Sequence, residues 1–355
     1  MPYYQNNDRI KVFLKDKHKK PLFKMIKEFR ELKKVKGETP YYYFKYLYRK
    51  DITNHLDYLS AAEMNLIRQS KRLHNPELTP IFKNKLLFSQ LFEKSDISTP
   101  KLISYNINNE FYIGTEKTIV TNEDELFKFF ENRFADTNVE SIFFRPHSDY
   151  GGHGCFKLTK KDLKTQISNA LEMLLKNNYV HTEIIEQHPE INKIHASSVN
   201  TMRILTLVTS SNDVKVVYAG FRLGVGDSVV DNSSSGGFFI GTNMDKGTLD
   251  EHGFYLIEYG GGKVYEHPDN GFKLEGFKIP FFKEACELAK KGVELLPDGF
   301  IGWDVAITPN GPTIVEANDM PHLQSSDRAS RGFLKNPYMK ELISELKEEK
   351  RKQAK

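Results

Sequence analysis

The chain has 355 residues, of which 39% are apolar and 12% aromatic; it is too long for one small core and too apolar for global disorder, so two or three packed units are expected. Its two cysteines exclude a disulfide scaffold and indicate a reducing compartment, and its net charge of +4 is modest. No N-terminal apolar signal and no run of about 18 apolar residues is visible, which predicts a cytoplasmic protein.

Residues 1–80 are predicted to form a mostly helical, basic N-terminal region. Between residues 11 and 36, basic side chains greatly outnumber acidic ones and are interleaved with apolar residues such as Leu14, Phe23 and Ile26. Such a stretch could contact an anionic membrane surface, a glycosyltransferase or nucleic acid. A solvated helix with one face on the core is the favoured interpretation, and nucleic acid is the least favoured because no known binding module is visible.

Residues 81–182 are predicted to form a small α+β lobe. It starts with a helix from about residue 83 to residue 94, which ends before an extended segment at Pro100. Short strands (KTIVT, SIFFRP and CFKLT) then alternate with two amphipathic helices (EDELFKFFENRF and KDLKTQISNALEMLLKN).

Residues 183–345 are predicted to form a larger lobe, and residues 346–355 a charged, fraying tail. Period-two alternation in RILTLV and KVVYAGFRL indicates an antiparallel sheet. The Ser/Gly-rich segment DNSSSGGFFIG is predicted to be a loop without regular structure of its own, and PFFKEACELAKKGVELLP is predicted to be a helix.

The stretch WDVAITPNGPTIVEAND is predicted to be a β-hairpin with a Pro-Asn-Gly-Pro turn. Facing residues of a hairpin lie roughly 5 Å apart, so Asp304 is expected near Glu316 and Asn318. Two carboxylates and an amide oxygen suit a hard cation such as Mg²⁺. An ordinary hairpin with polar ends is the alternative.

Two further patterns point to anion binding. The turn in FFRPHSDYGGHGCFKL contains Gly151, Gly152 and Gly154, whose backbone N–H groups could close on phosphate oxygens; a simple hairpin turn is the alternative. Arg203 and Arg222 each sit within an apolar strand and need an anionic partner, which could be a phosphate, a substrate carboxylate or a structural salt bridge.

Taken in chain order, these motifs resemble the ATP-grasp superfamily, and more closely its sugar-transfer-associated branch. The resemblance covers about residues 80–325 and is carried by SVNTMRILT, DNSSSGG and the E-x-N ending with its upstream Asp304. It implies an α+β fold in which two lobes grip ATP. The mostly helical N-terminal region precedes them.

The resemblance also implies roles for the motif residues. Contacts to ATP are implied for Lys85, Arg145, Gly151, Gly152, Gly154, Glu183, Glu186 and Glu190. Two Mg²⁺ ions would be held by Asp304, Glu316 and Asn318, and the transferred phosphate and acyl group would face Arg203 and Arg222. The acceptor side could be lined by Asn200, Asp231, Asn232, His322 and Gln324. Arg145 stands where the family usually has a lysine, which keeps the charge and changes the geometry.

The implied reaction is an ATP- and Mg²⁺-dependent ligation of a carboxylate and an amine, both small molecules and candidates for sugar-linked substrates, through an acyl phosphate. Family analogy suggests a role in cell-surface polysaccharide biosynthesis or modification, in the cytoplasm or at the inner membrane face. A kinase that releases a phosphorylated product is one alternative, and a non-catalytic nucleotide-binding scaffold at the membrane is another.

Overall fold

The computed structural model describes residues 9–148, 154–228, 231 and 233–353. Its strands form two antiparallel sheets, and helices precede the first sheet and cover both. The α+β class and the mostly helical N-terminal region predicted from the sequence are therefore confirmed. No helix in the described ranges is long and apolar enough to cross a membrane.

The N-terminal region packs around a cluster of aromatic residues, with α2 as its longest helix. Helix α2 ends at Gly37, whose φ of 71° places it in the left-handed region that favours glycine. Helix α3 starts at a capping box formed by Ser60 and Glu63. The helices that precede the first sheet are α1 Arg9–Lys15, α2 Leu22–Lys36, α3 Ala61–Gln69, α4 Thr79–Lys83 and α5 Lys85–Glu93.

The smaller sheet has six strands in the order β3-β2-β1-β6-β4-β5, and α6 and α7 pack against it around Phe130 and Ile167. Its strands are β1 Leu102–Ile107, β2 Glu110–Ile113, β3 Glu116–Ile119, β4 Ser141–Pro146, β5 Phe156–Thr159 and β6 Tyr179–Glu183. Its helices are α6 Glu123–Thr137 and α7 Leu163–Lys176.

The larger sheet has eight strands; seven follow the order β12-β11-β9-β8-β7-β13-β14, and β10 pairs with β9. Its strands are β7 Thr201–Val208, β8 Val214–Leu223, β9 Phe238–Asn243, β10 Thr248–Leu249, β11 Gly253–Tyr255, β12 Lys263–Val264, β13 Phe300–Thr308 and β14 Gly311–Asn318. Its helices are α8 Pro189–Asn192, α9 Phe282–Leu295, α10 Leu323–Ala329 and α11 Pro337–Gln353.

The two faces of the larger sheet belong to different cores. Met202 and Ile204 share one apolar cluster with residues of α9, whereas Leu205 and Leu207 share another with residues of α3, α10 and α11. Even-numbered and odd-numbered residues of β7 point to opposite faces of the sheet, which accounts for both assignments along one strand. The sheet is thus covered on both faces.

Two sequence-based predictions about elements need correction. The strand predicted for YVHTEIIEQ ends at Glu183, and residues 184–188 have no regular structure. The Ser/Gly-rich segment contains a short 3₁₀ turn, Ser233–Ser235, and then strand β9, which starts at Phe238. Pairing with β8 provides the hydrogen bonds that the segment could not form alone. The proposed domain boundaries stay predictions.

Candidate active site

A row of charged side chains crosses the larger sheet. Glu316 on β14 lies directly opposite Asp304 on β13, and Asp304 lies directly opposite Arg203 on β7. Facing residues of antiparallel strands place their side chains on the same side of the sheet. The hairpin expected at the end of the sheet is confirmed, and its register brings the two carboxylates together.

Both strand arginines bind Asp304. Arg203 places Nε 2.7 Å from Oδ1 of Asp304, and Arg222 places Nη2 2.8 Å from its Oδ2. The side chain of Asp304 is 1% exposed, so these two cations compensate a carboxylate that water hardly reaches. The sequence left three kinds of anionic partner open for Arg203 and Arg222, and in this structure both form a salt bridge with Asp304.

The two facing carboxyl groups, Asp304 and Glu316, differ in pKa. Burial raises the pKa of Asp304 to about 7, although the guanidiniums of Arg203 and Arg222 oppose this shift. Burial would also raise the pKa of Glu316, but Lys85, the hydrogen bond with Asp304 and both arginines lower it to about 2. Glu316 is therefore the more acidic carboxyl group of the pair.

Two cations reach the Glu316 end of the row from outside the larger sheet. Lys85, Arg145, Glu316 and Asn318 line one cavity at the junction of the two sheets. Lys85 is the first residue of α5, and its backbone N–H donates to the carbonyl of His147. Arg145 lies on β4 of the smaller sheet, is 6% exposed, and donates from Nη1 to the carbonyl of Val315. This end of the row has the positive charge that phosphate groups require.

The donor atoms at the hairpin fit Mg²⁺. Asp304 and Glu316 offer carboxylate oxygens, and Asn318, two residues beyond Glu316, offers an amide. Oxygen ligands of this kind are those that Mg²⁺ prefers, and substrate phosphates usually complete its coordination. In this structure the charge of Asp304 is balanced by arginines. The role of these three residues as metal ligands stays a prediction.

The residues predicted to read adenine and ribose lie where the smaller sheet leads into the larger one. Glu183 ends β6, and Glu186 is exposed in the segment that follows. Glu190 lies on α8 and forms an ion pair of 2.6 Å with Lys193. Their contacts to a nucleotide remain predictions.

The residues predicted on the acceptor side have different environments. Asp231 accepts from the N–H and hydroxyl of Thr201 and lies 3.5 Å from Arg222, so it extends the charged row. Asn200 is fully buried; its amide donates to Gln187 Oε1 and two backbone carbonyls, and accepts from the N–H of Gly224. This environment favours a structural role for Asn200.

His322 is exposed and precedes α10, where its Nδ1 lies 3.1 Å from Oγ of Ser325. Gln324 accepts from Nζ of Lys45, a residue of the N-terminal region. Of the glycines predicted to touch phosphate, Gly154 is the first described residue after the gap at residues 149–153, and its φ is 70°. Gly151, Gly152 and Asn232 lie outside the described residues.

Sequence reasoning did not find Arg328, which is 5% exposed and lines a cavity with His322 and Gln324. In the sequence it is one basic residue in a polar helix, and no local pattern distinguishes it from a surface arginine. Its burial arises from packing against Tyr46 and Phe254, which lie far away in the chain.

The two-lobed α+β architecture, with paired acidic residues facing cations from both lobes, defines an ATP-grasp protein. More particularly, the chain belongs to the sugar-transfer associated ATP-grasp family, whose profile matches residues 66–336. No curated protein matches the sequence.

Solved structures with a similar fold have low sequence identity to this chain. The ATP-grasp ligase PsnB, complexed with minimal precursor, Mg and ADP, is 13% identical, with a TM-score of 0.43, and the match covers 78% of this chain and 62% of that chain. D-alanyl-alanine synthetase A from Vibrio cholerae is 12% identical, with a TM-score of 0.45, covering 77% of this chain and 67% of that chain. The chain thus spans less than two thirds of the PsnB chain.

Proposed function

We propose that the protein is an ATP- and Mg²⁺-dependent ligase that activates a carboxylate as an acyl phosphate and transfers the acyl group to an amine. The observation that carries this proposal is the charged row, in which two facing carboxylates lie between strand arginines and the cations Lys85 and Arg145. A structural hairpin has no need of such a set. Membership of the ATP-grasp family supports the same reaction class.

The proposed division of labour follows the order of the row. Lys85 and Arg145 bind the ATP phosphates at the junction of the lobes, and the contacts predicted from the sequence for Gly151, Gly152 and Gly154 are part of the same proposal. The segment from Glu183 to Glu186 reads adenine, and Glu190 holds the ribose. Bound by Asp304, Glu316 and Asn318, Mg²⁺ supplies charge neutralisation for the phosphate oxygens; two ions are proposed.

Arg203 and Arg222 are proposed to stabilise the group in transfer. An oxygen of the substrate carboxylate attacks the γ-phosphorus, the bond to the β-phosphate oxygen breaks, and ADP leaves. The amine then attacks the acyl carbon and expels phosphate, and its proton passes to solvent or a nearby base. Fixed guanidiniums lower the energy of the charge that develops in both steps. Asp231, Asn232 and His322 are proposed on the acceptor side.

A kinase reaction on the same site is the second candidate. It would use the same nucleotide-binding residues and release the phosphorylated product without an amine. The two reactions differ in whether an amide forms. A scaffold without catalysis is less well supported, because it would not require Asp304 and Glu316 to face each other next to several cationic side chains.

The proposed setting is cell-surface polysaccharide biosynthesis or modification, with sugar-linked substrates; the family description supports it. We also propose a cytoplasmic protein that contacts the inner membrane face through its N-terminal region. The support is a surface with exposed Leu14, Leu22 and Phe23 among lysines.

The proposal is tested by trapping the acyl group with hydroxylamine. Protein, ATP and Mg²⁺ are incubated with amino acids and uronic-acid sugars as carboxylates, and hydroxamates are measured by mass spectrometry. We expect a hydroxamate with the wild type and none with Glu316→Gln, because that change removes a carboxylate at the proposed metal site. Glu287→Gln, on the exposed side of α9, is the matched control and should behave as the wild type.

Asn318→Ala should also abolish hydroxamate formation, since it removes an oxygen donor and not core volume. Undiminished ATP consumption by the Glu316 and Asn318 variants would refute the metal assignment. A phosphorylated carboxylate that accumulates, and forms no amide with any amine offered, would favour the kinase.

A further inference from the structure

A second cavity lies at the opposite end of the charged row, away from the smaller sheet. It has a volume of about 260 Å³, slightly below the roughly 300–1,000 Å³ typical of small-molecule sites. Its walls come from the N-terminal region (Tyr46), from β9 (Phe239), from residues 256–259 and from α10 (Arg328). We call it the acceptor pocket.

The acceptor pocket adjoins the catalytic arginines proposed above. Phe239 lines the pocket and lies directly opposite Arg222 on the neighbouring strand. His322, which precedes α10, also lines it. The row therefore leads from the cavity at Lys85 to this pocket, a distance of roughly 20 Å across five strands.

Arg328 is a buried cation in this pocket. It is 5% exposed, and no carboxylate of the described residues forms an ion pair with it. Its Nη atoms donate to the carbonyls of Tyr255 and Gly261, at 3.2 and 2.7 Å, and its Nε is buried without a hydrogen-bond partner. A guanidinium has five donor hydrogens, so these two carbonyls use fewer than half of them.

Charged and aromatic side chains surround Arg328. Arg49 also donates to the carbonyl of Gly261, and its own charge is paired with Asp16 at 2.7 Å. Burial is the main cause that lowers the pKa of Arg328 to about 10; Arg49 adds to this shift and Asp51 opposes it. The rings of Phe254 and Tyr46, at 4.2 and 5.4 Å from the guanidinium carbon, offset part of the cost.

Other charged groups surround the pocket mouth. Lys45 donates to Gln324, and the carboxylate of Glu258 also lines the pocket. A buried cation without a counter-charge is costly, and an anionic ligand would remove that cost.

We propose that the acceptor pocket binds the carboxylate or phosphate group of an amine substrate, with Arg328 as its binding partner and the N-terminal region as one wall. This inference rests on the proposed ligase activity, in which the amine substrate is the acceptor. It gives the N-terminal region a part in substrate selection. The amine of such a substrate would extend from the pocket toward Arg222.

Matched pairs of probes test the inference without turnover. Glycine is compared with glycinamide, and glucosamine 6-phosphate with glucosamine, by ligand-observed NMR titration at low salt. We expect the member of at least one pair that carries the carboxylate or phosphate group to bind about 10-fold or more tightly than the member that lacks it, since a hydrogen bond to a charged group contributes on that scale. The pair that shows the preference identifies carboxylate or phosphate.

Two kinds of variant assign the preference to this pocket. Arg328→Met should abolish it. Because that change could unfold the protein, Ser325→Glu adds a carboxylate to the pocket lining instead, at the third residue of α10, where glutamate is well tolerated. It should weaken the binding of probes that carry a carboxylate or phosphate about 10-fold or more relative to Ser325→Gln, which adds a side chain of similar size without the charge.

Equal binding within both pairs, binding of no anionic probe, or an unchanged preference in Ser325→Glu would overturn the inference. The hydroxylamine assay on the wild type tests the ligase separately, because hydroxylamine carries no anionic group. Hydroxamate formation without anion preference would leave the ligase and remove the pocket assignment. Anion preference without hydroxamate formation would keep the pocket assignment and remove the ligase.

Discussion

Arg222 connects three parts of the larger lobe through one guanidinium. It lies 2.8 Å from Asp304, 3.5 Å from Asp231, and donates to Oγ1 of Thr201 from Nη2 at 2.7 Å. A planar fork can hold several acceptors in fixed directions, and an ammonium group cannot. The residue is therefore placed to keep positive charge fixed between two carboxylates.

Arg222→Lys should lower kcat by about 10–100-fold and change the Kd for ATP by less than about 3-fold, if the arginine acts on the group in transfer. Turnover is measured by ADP release and binding by calorimetry. Arg133→Lys, on α6, is the control of the same chemistry outside the row. A pure loss of ATP affinity would instead place Arg222 in the nucleotide site.

Asp327 on α10 links the N-terminal region to the larger lobe. Its carboxyl accepts from the N–H of Leu59 at 3.0 Å and of Phe333 at 2.7 Å, yet burial raises its pKa to about 7. Between pH 4 and 7 the folded protein then holds a proton that the unfolded chain has lost. Its contribution to stability is full at low pH and is lost as the pH rises through about 7.

Asp327→Asn should accordingly reduce the dependence of the melting temperature on pH. One proton changes the free energy of unfolding by at most about 1.4 kcal/mol per pH unit. The melting temperature of both proteins is measured at pH 5 and pH 8. At pH 5 the variant should be less stable than the wild type, since an amide offers one hydrogen-bond acceptor fewer. Between pH 5 and pH 8 its melting temperature should fall by less than that of the wild type. An identical pH difference in both proteins would contradict the raised pKa.

Side chains in the row were predictable where local pattern decides their position. Asp304 and Glu316 follow from the turn and the alternation of one hairpin, because both are set within about 15 residues of sequence. Arg203 and Arg222 form ion pairs with Asp304 because strands β8, β7 and β13 are neighbours in that order. No window of sequence contains that order. Arg328 was missed for the same reason.

Among the elements, α9 approaches β13 most closely at a glycine. A Cβ on Gly292 would lie 2.6 Å from the ring of Trp303, which is fully buried and donates to Oγ1 of Thr206. Trp303 directly precedes Asp304. The helix therefore supports the strand that carries the proposed metal ligand.

Gly292→Ala should lower the melting temperature, with a loss of about 1–3 kcal/mol from overpacking. The sign is informative, because glycine to alanine inside a helix otherwise stabilises by about 0.5–1 kcal/mol. Trp303 is the only tryptophan of the chain, so its fluorescence reports the change directly. Glu287→Ala, exposed on the same helix, should leave the emission unchanged. A melting temperature raised by Gly292→Ala would show that the helix can move away.

The predicted elements were found where periodicity extends over many residues. Helices α6, α7 and α9 carry an amphipathic pattern, strands β7 and β8 an alternating one, and strands β13 and β14 are apolar runs on either side of a clear turn. The two-residue strands β10 and β12 have no period to detect, and β9 follows a segment rich in serine and glycine. These strands exist because a neighbouring strand completes their hydrogen bonds.

On the scale of the whole molecule, the N-terminal region is docked on the larger lobe by buried polar contacts. Glu63 binds Lys36 and Lys347, which joins α3 to α11. The backbone of Leu73 accepts from Gly299 and Phe300 at the start of β13. The region therefore forms one wall of the acceptor pocket, and its opposite surface stays exposed.

That outer surface combines exposed apolar side chains with lysines. Leu14 on α1 and Leu22 and Phe23 on α2 are 63%, 69% and 76% exposed. Apolar side chains among cations are typical of segments that lie on anionic membranes. The wild type should therefore sediment with vesicles that contain about 30% anionic lipid, and much less with neutral vesicles, and about 0.5 M salt should release it.

Phe23→Ser combined with Leu22→Ser should weaken vesicle binding by removing inserted apolar area, and Lys24→Glu combined with Lys27→Glu should weaken it by removing charge. Ile119→Ser on β3 serves as the control, because Ile119 is an apolar residue of the smaller lobe that is 57% exposed. Loss of binding in both double variants but not in the control would place the membrane contact on α2. Vesicle binding that the four changes leave intact, or that neutral lipid supports equally, would show that this surface faces solvent or a protein partner, and the acceptor pocket behind it would then be filled from solution rather than from the membrane.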